Sequence, residues 1–475
     1  MMIRLIIAAF GVLAFSTAAS AADRELTPAE AKARELYAKA ISIKTVKGEG
    51  KVPELAAYLA GELKAAGFSD EDIEIMPIGE TAGLGVRYRG DGSSGKKPVL
   101  FLAHMDVVSA KREDWEHDPF TLREEDGYFL GRGTADNKYG VVNLTQAFMR
   151  LKQEGFTPDR DLVLLFSGDE ETDMDSTRML AFDRKDWSDA EFALNSDAGG
   201  GAYLEDGSAL PYLMQAAEKT YATFSVTARN KGGHSSRPRP DNAIYDLASA
   251  LLKIEDYVFP VMSNEITRAS ARADGELIGG DIGDALIKFA DNPKNKKAIK
   301  IIRASEDYSN ILSTTCVATM LDAGHAENAL PQSATATVNC RIFPGVEVED
   351  VRQTLIEVIE NDALEVALTD DIFVASPISE VRDDVVAALR AAIEPRYPGI
   401  DVVPAMSAGG TDGMHFRRAG VPTYGVGAGF VPVGAEINAH GLDEKIPAAS
   451  FYAGLDHWIL LIKALASPAG EGEEG

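Results

Sequence analysis

The chain has 475 residues, 45% of them hydrophobic, which is enough for two domains with sizeable cores. Its formal net charge of -27 argues against nucleic acid or anionic lipid as a partner. With 2 cysteines, Cys316 and Cys340, neither a cysteine zinc site nor a multi-bridge scaffold can form.

Residues 1–21 begin Met1-Met2-Ile3-Arg4, run apolar from Leu5 to Phe15 and end in Ala19-Ser20-Ala21, the plan of a secretory signal peptide. The apolar run is short for a membrane span of about 20 residues. Export to a periplasmic or extracellular, oxidising space is expected, with no membrane attachment after cleavage. Thr27-Pro28-Ala29-Glu30 reads as a capping box with Pro in the first turn, and the helical stretch it opens stops at Gly67. From 73 to 216, strand signals alternate with helix signals, including a helix near 138–154, as in a parallel sheet with covering helices.

Near Lys219 the pattern changes. Residues 220–228 alternate like a half-buried strand, a helix follows from about 241 to 254, and two more alternating strands cover 313–321 and 333–343. A helix over 347–361 and a strand near 364–375 complete a β-α-β-β-α-β order, the ferredoxin-like unit, with an extra polar helical stretch between 255 and 305. Cys316 and Cys340 fall on the two strands flanking Asn328, where they either bridge or stay as buried thiols. After 376 the βα pattern returns, closing with an amphipathic helix over 448–465. The expected organisation is an α/β catalytic domain in two parts, 22–218 and 376–467, with an inserted α+β lid domain at 219–375 and a disordered Gly/Glu tail at 468–475.

Five short segments end in residues that bind metal: His104-Met105-Asp106, Gly131 to Asp136, Gly168-Asp169-Glu170-Glu171, Asn195-Ser196-Asp197 and Asn438-Ala439-His440. Three directly follow the apolar runs 99–103, 162–166 and 192–194, which suit buried parallel strands. Loops beyond the carboxyl ends of such strands are where open α/β sheets place ligands. An Asp after a Gly-rich stretch is ordinarily a turn residue, and a Glu-Glu pair is ordinarily solvated surface. Together, though, these residues supply the imidazoles and carboxylates that two zinc ions need, with one carboxylate between them. Asp136 is assigned as the bridge, His104 and Asp197 to one metal, Glu171 and His440 to the other. Asp106 would orient His104, and Glu170, left free, would act as general base and acid. Manganese or cobalt would suit such oxygen-rich ligands as well.

The segments 103–108, 131–138, 167–171, 233–236, 328–331 and 409–412 resemble those of the co-catalytic dizinc metallopeptidase family that includes aminoacylase, succinyl-diaminopimelate desuccinylase, carnosinase and Gly-X carboxypeptidase, over roughly residues 30–465. The resemblance implies a zinc-peptidase catalytic domain with an inserted lid domain that also serves dimerisation. It implies the same ligands and base, and it gives His234 of the lid a role at the oxyanion, often from the other subunit of a homodimer. Asn328, Arg341, Gly409, Gly410 and Thr411 would hold the substrate; an oxyanion wants preorganised donors, and a terminal carboxylate suits a guanidinium fork. Tyr139 stands where many relatives have Gly, and Asn339 where Asp is usual, which bears on how Arg341 is oriented.

Asp197 is the residue type found at this position in peptide-cutting relatives. The expected function is therefore removal of terminal residues from short peptides, of dipeptidase or carboxypeptidase type, by metal-activated water. The alternatives are an N-acyl-amino-acid deacylase and a catalytically dead binding module.

Overall fold

A computed structural model describes residues 25–369 and 374–468. The signal-peptide segment and all but the first residue of the tail lie outside those ranges. The capping box at Thr27 forms, its side chain accepting from the Glu30 N–H while the Glu30 carboxylate accepts from the Thr27 N–H, and it starts the helix Pro28–Ser42. The second N-terminal helix, Val52–Ala65, ends just before Gly67.

An eight-stranded sheet forms the larger domain. Its order is Ile73–Ile78, Thr81–Tyr88, Leu162–Ser167, Val99–His104, Phe192–Asn195, Thr423–Gly425, Tyr212–Glu218, Val402–Ser407. The middle strands, from Leu162–Ser167 to Thr423–Gly425, are mutually parallel. The edge hairpin Ile73–Tyr88 and the strand Tyr212–Glu218 run against their inner neighbours. Both faces are covered, which is why the three apolar runs do not alternate with polar residues. Val99, Phe101, Leu162, Leu164, Phe166, Phe192 and Leu194 join the main core beneath the helices Pro28–Ser42, Lys138–Gln153 and Ala448–Ala466. Leu100, Leu102, Val163, Leu165 and Ala193 face a second cluster with Leu180, Trp187 and Phe416.

The chain leaves this sheet at Glu218 and enters a second one at Thr220. Four antiparallel strands lie in the order Thr315–Ala323, Ser333–Ile342, Thr220–Arg229, Leu364–Leu368, the ferredoxin-like arrangement, with helices Ala243–Asp256 and Val348–Ile359 on one face. Of the strand expected near 364–375, Leu364–Leu368 is formed, and residues 370–373 lie outside the described residues. Cys316 lies directly opposite Cys340 in the register, and the two are joined as a disulfide.

The polar helical stretch stands apart from this lid. Helices Glu265–Ile278, Gly280–Asp291 and Lys296–Arg303 enclose a small core of their own around Ala271, Leu286, Phe289 and Ile302. Ile266, on the first of them, is buried in the main core of the larger domain. That helix packs against the edge strand Val402–Ser407 and so belongs spatially to the catalytic sheet. Among the described residues no helix is long and apolar enough to cross a membrane.

Candidate dinuclear metal site

The parallel strands Leu162–Ser167, Val99–His104 and Phe192–Asn195 end side by side, so their following residues meet at one edge of the sheet. His104 closes one strand, Glu170 and Glu171 follow the second, and Asp197 follows the third. Asp136 arrives on the loop before helix Lys138–Gln153, and His440 on a loop before Ala448–Ala466.

The geometry centres on Asp136. Its Oδ1 lies 2.9 Å from His104 Nε2 and its Oδ2 lies 3.0 Å from His440 Nε2. Asp197 Oδ1 is 3.4 Å from the same His104 nitrogen, and Glu171 Oε2 is 2.9 Å from the His440 nitrogen. One carboxylate thus presents a different oxygen to each of two His–carboxylate pairs. These donors are borderline nitrogens and hard oxygens, the set that zinc, manganese and cobalt accept, so the residues fit a two-metal centre. Glu170, His104 and Asp197 also place one donor atom each within 4.8 Å of one another, close enough to share an ion at the first of the two positions.

A layer of hydrogen bonds fixes these groups. The carboxylate of Asp106 accepts the backbone N–H of Glu170 on Oδ1 and that of Glu171 on Oδ2, both at 3.1 Å. It also approaches His104 Nδ1 at 3.4 Å. Asp106 therefore positions the Glu-Glu pair as well as the imidazole. Asn137 donates to Asp197 Oδ1 at 2.7 Å and accepts from Ser196 Oγ at 3.1 Å. A Cβ at Gly140 would overlap Asn137 Oδ1 and Ser196 Oγ, so this close approach of helix to strand end requires glycine.

Glu444 was not visible as a site residue in the sequence. Buried four residues after His440, it accepts from Arg132 Nη1 at 2.5 Å and from the N–H groups of Gly133, Ala135 and Asp136 at 3.0, 2.7 and 3.0 Å. This one side chain holds the whole loop that delivers Asp136. No motif marks it, because its partners lie about three hundred residues away in the chain. Asp412, buried against the hydroxyls of Ser167 and Thr177, supports the same strand end.

Electrostatics follow from crowding acids into a buried site. Burial pushes the Glu170 carboxyl well above its ordinary range, His104 opposing and Asp197, Asp412 and Glu171 adding to the rise. Burial likewise raises Glu171 and Asp197, and moves Asp412 up to about 7. For Asp136 burial alone would do the same, but hydrogen bonds from His104 and His440 outweigh it and hold it well below the usual range. Hydrogen bonds to Asp136 and Glu171 push the His440 imidazole up to about 10.

The five ligand-type residues and Glu170 thus come together. Asp136, Glu170, Glu171, Asp197 and His440 line an open cavity of about 350 Å³ together with Arg341, Gly409, Gly410 and Thr411. Arg341 stacks 4.6 Å over the Tyr221 ring and donates to the Ala408 carbonyl at 3.1 Å. Asn339 instead donates to Thr223, so Tyr221 and Ala408 orient the guanidinium. Thr411 Oγ1 donates to buried Glu218, which pairs with buried Arg417. Tyr139 packs under the strand end with its hydroxyl 3.4 Å from the Ser196 carbonyl. His234 and Asn328 sit elsewhere. His234 lies in the short ribbon Gly233–His234 and Ala329–Leu330 on the lid and Asn328 just before its second strand, both exposed, and neither lines this cavity.

The model of peptidase family M20/M25/M40 matches residues 100–464. The N-fatty-acyl-amino acid synthase/hydrolase PM20D1 of Xenopus tropicalis is 28% identical over 77% of this chain and 72% of its own. Among solved structures, the M20 family metallo-carboxypeptidase Sso-CP2 from Sulfolobus solfataricus superposes with a TM-score of 0.69 at 18% identity, covering 91% of this chain and 99% of that one. The di-peptidase Dug1p from Saccharomyces cerevisiae does so with a TM-score of 0.65 at 18% identity, over 92% and 96%.

Proposed function

The chain belongs to peptidase family M20/M25/M40 and is a hydrolase of peptide or amide bonds, and from this we propose that it is an exported dizinc peptidase removing terminal residues from short peptides. The observation that carries the reading is Asp136 presenting one oxygen to each of two His–carboxylate pairs at the end of the sheet. His104, Asp136, Glu171, Asp197 and His440 would hold two divalent cations there, which would supply Lewis-acid polarisation of the scissile carbonyl and acidify a water. Glu170, adjacent to the first position and left outside the assigned ligand set, takes the water's proton and returns it to the leaving nitrogen as the C–N bond breaks. The hydroxyl oxygen ends on the new carboxylate and the proton on the new amine. Arg341 and the Gly409–Thr411 turn, on the same cavity wall, hold the terminal carboxylate of the leaving residue. The Cys316–Cys340 bridge supports an oxidising destination.

A second reading, hydrolysis of N-acyl amino acids, uses the same chemistry and is favoured by the likeness to the Xenopus tropicalis protein. A panel of dipeptides and N-acetyl amino acids, matched in C-terminal residue and assayed on the zinc-loaded protein, tests the choice. Higher kcat/KM on the dipeptides is expected. The reverse order would replace the first reading by the second, and no turnover of either would reject both.

The proposal includes a homodimer through the lid. Among the described residues the edge strand Thr315–Ala323 pairs on one side only, and it exposes Val317, Met320 and Leu321 at 61%, 69% and 62%. A long apolar edge of this kind is normally protected by a partner strand. Helix Ala243–Asp256 beside it exposes Tyr245 and Leu252. Pairing two copies there would let His234 of the partner subunit reach the oxyanion that His234 of the same chain does not approach. Loss of one oxyanion donor costs about 10²–10³-fold in kcat, so His234→Ala should be strongly impaired. Mixing and refolding it with Glu170→Gln chains should then restore activity, since mixed dimers contain one complete site. A monomeric mass in solution, or no recovery on mixing, would overturn this arrangement.

A further inference from the structure

A second cavity, about 490 Å³ in volume, opens beside the metal site and shares Asp197, Ala198 and Ser407 with it. Its walls come from the catalytic sheet on one side and from helix Glu265–Ile278 of the inserted helical unit on the other. Leu210, Pro211, Leu213, Met406 and Leu277 give it an apolar character, and Leu213 and Leu277 remain 43% and 52% exposed to it and to solvent. That volume is in the range of small-molecule sites, which are mostly apolar with a few placed polar groups. Besides Asp197 at the shared border, a second acid stands among these side chains. Asp274 lines the cavity, and among the described residues no hydrogen bond or ion pair reaches its carboxylate. Burial raises its pKa, so the charge is held at a cost that a cation entering the cavity would offset.

We propose that this cavity is the subsite for the acyl side of the substrate, taking an extended apolar group that carries an ammonium, with Asp274 as its counter-charge. The assignment rests on the hydrolase reading above and deepens it. Arg341 and the Gly409–Thr411 turn occupy the wall for the leaving residue's carboxylate, while the second cavity meets the metal-site cavity at Asp197, Ala198 and Ser407. A substrate lying across both would place its carboxylate at Arg341, its scissile carbonyl between the two metal positions, and its acyl group against Leu213, Met406 and Leu277. The helical unit, packed on the catalytic edge strand, would then set specificity by supplying Leu277 and Asp274.

Binding and turnover separate this proposal from the function it rests on. Octylamine and octanol are titrated calorimetrically into the zinc-loaded wild type and Asp274→Asn. The wild type should bind octylamine more tightly, and the variant should lose about tenfold for octylamine with little change for octanol, as expected on losing one charge-assisted contact. Leu277→Arg should weaken both. Asp274→Asn should melt no lower than wild type, because it removes a carboxylate without a partner. In kinetics, kcat/KM should rise from N-acetyl- to N-octanoyl- to N-(ω-aminooctanoyl)-leucine, and the last step should vanish in Asp274→Asn. No binding of either probe, or equal octylamine affinity in the variant, overturns the proposal. Binding as described with no hydrolysis of any amide would leave the subsite standing and refute the hydrolytic reading instead.

Discussion

Glu170→Gln is expected to lower kcat by about 10²–10⁴-fold, the range for loss of a general acid–base, while two metal ions remain bound. The substitution keeps the side chain's shape, and the Glu170 N–H that donates to Asp106 Oδ1 is unaffected. Gln cannot accept and release a proton. Because Glu170 is close enough to His104 and Asp197 to share an ion with them, the metal count decides between its two uses. Full metal content with activity lost identifies the proton carrier, and loss of one ion on substitution would make Glu170 a ligand. Retained activity would contradict both. Asp106→Asn offers a milder comparison, since the amide still accepts at one oxygen but can no longer hold both N–H groups of the Glu-Glu pair.

The second large effect is expected at Glu444. Removing it as Glu444→Ala leaves buried Arg132 without its counter-ion and three N–H groups of the Gly131–Asp136 loop without an acceptor. Breaking a buried pair from one side costs about 3–5 kcal/mol, a large share of a typical net stability of about 5–15 kcal/mol. A marked fall in melting temperature is therefore expected, and with it weaker metal binding, since the loop carries the bridging carboxylate. Arg132 also donates to the Gly441 carbonyl and stacks over Trp115, so it does not simply swing into water. Adding Arg132→Met to Glu444→Ala removes the stranded charge and should recover part of the stability, but not the metal affinity. A Glu444→Ala protein with wild-type melting and metal binding would show that the loop is held by other means.

The site was legible where local pattern and chemistry coincide. His104 closes, and Glu170, Glu171 and Asp197 follow, strands whose unbroken apolar runs reflect burial on both faces, and the parallel register brings those carboxyl ends to one edge of the sheet. Asp136 and His440 were found by residue type within short motifs. Glu444 and Asn137 act through partners distant in sequence, and an isolated Glu before Lys445-Ile446-Pro447 carries no signal of them. The lid was readable as a ferredoxin-like unit because alternation and helix periodicity both hold there. The helical stretch at 255–305 was readable only as helices, because neither the burial of Ile266 in the main core nor the packing of its helix on Val402–Ser407 has a local signal. Asp274 was invisible for the same reason, since a charged residue on a polar helix gives no hint that its neighbours in space are Leu210, Leu213 and Met406.

Titrating metal-free protein with zinc, while following protons released, tests the bridged two-metal centre most directly. Hydrogen bonds to Asp136 and Glu171 push the His440 imidazole up to about 10, and the acids around His104 raise that imidazole as well, so filling either position near neutrality should displace a proton. Affinity should then rise with pH and fall with acid. The expected result is two equivalents of zinc per chain with proton release, and weaker binding of both in Asp136→Asn. One equivalent, or two held equally well by Asp136→Asn, would contradict the shared carboxylate.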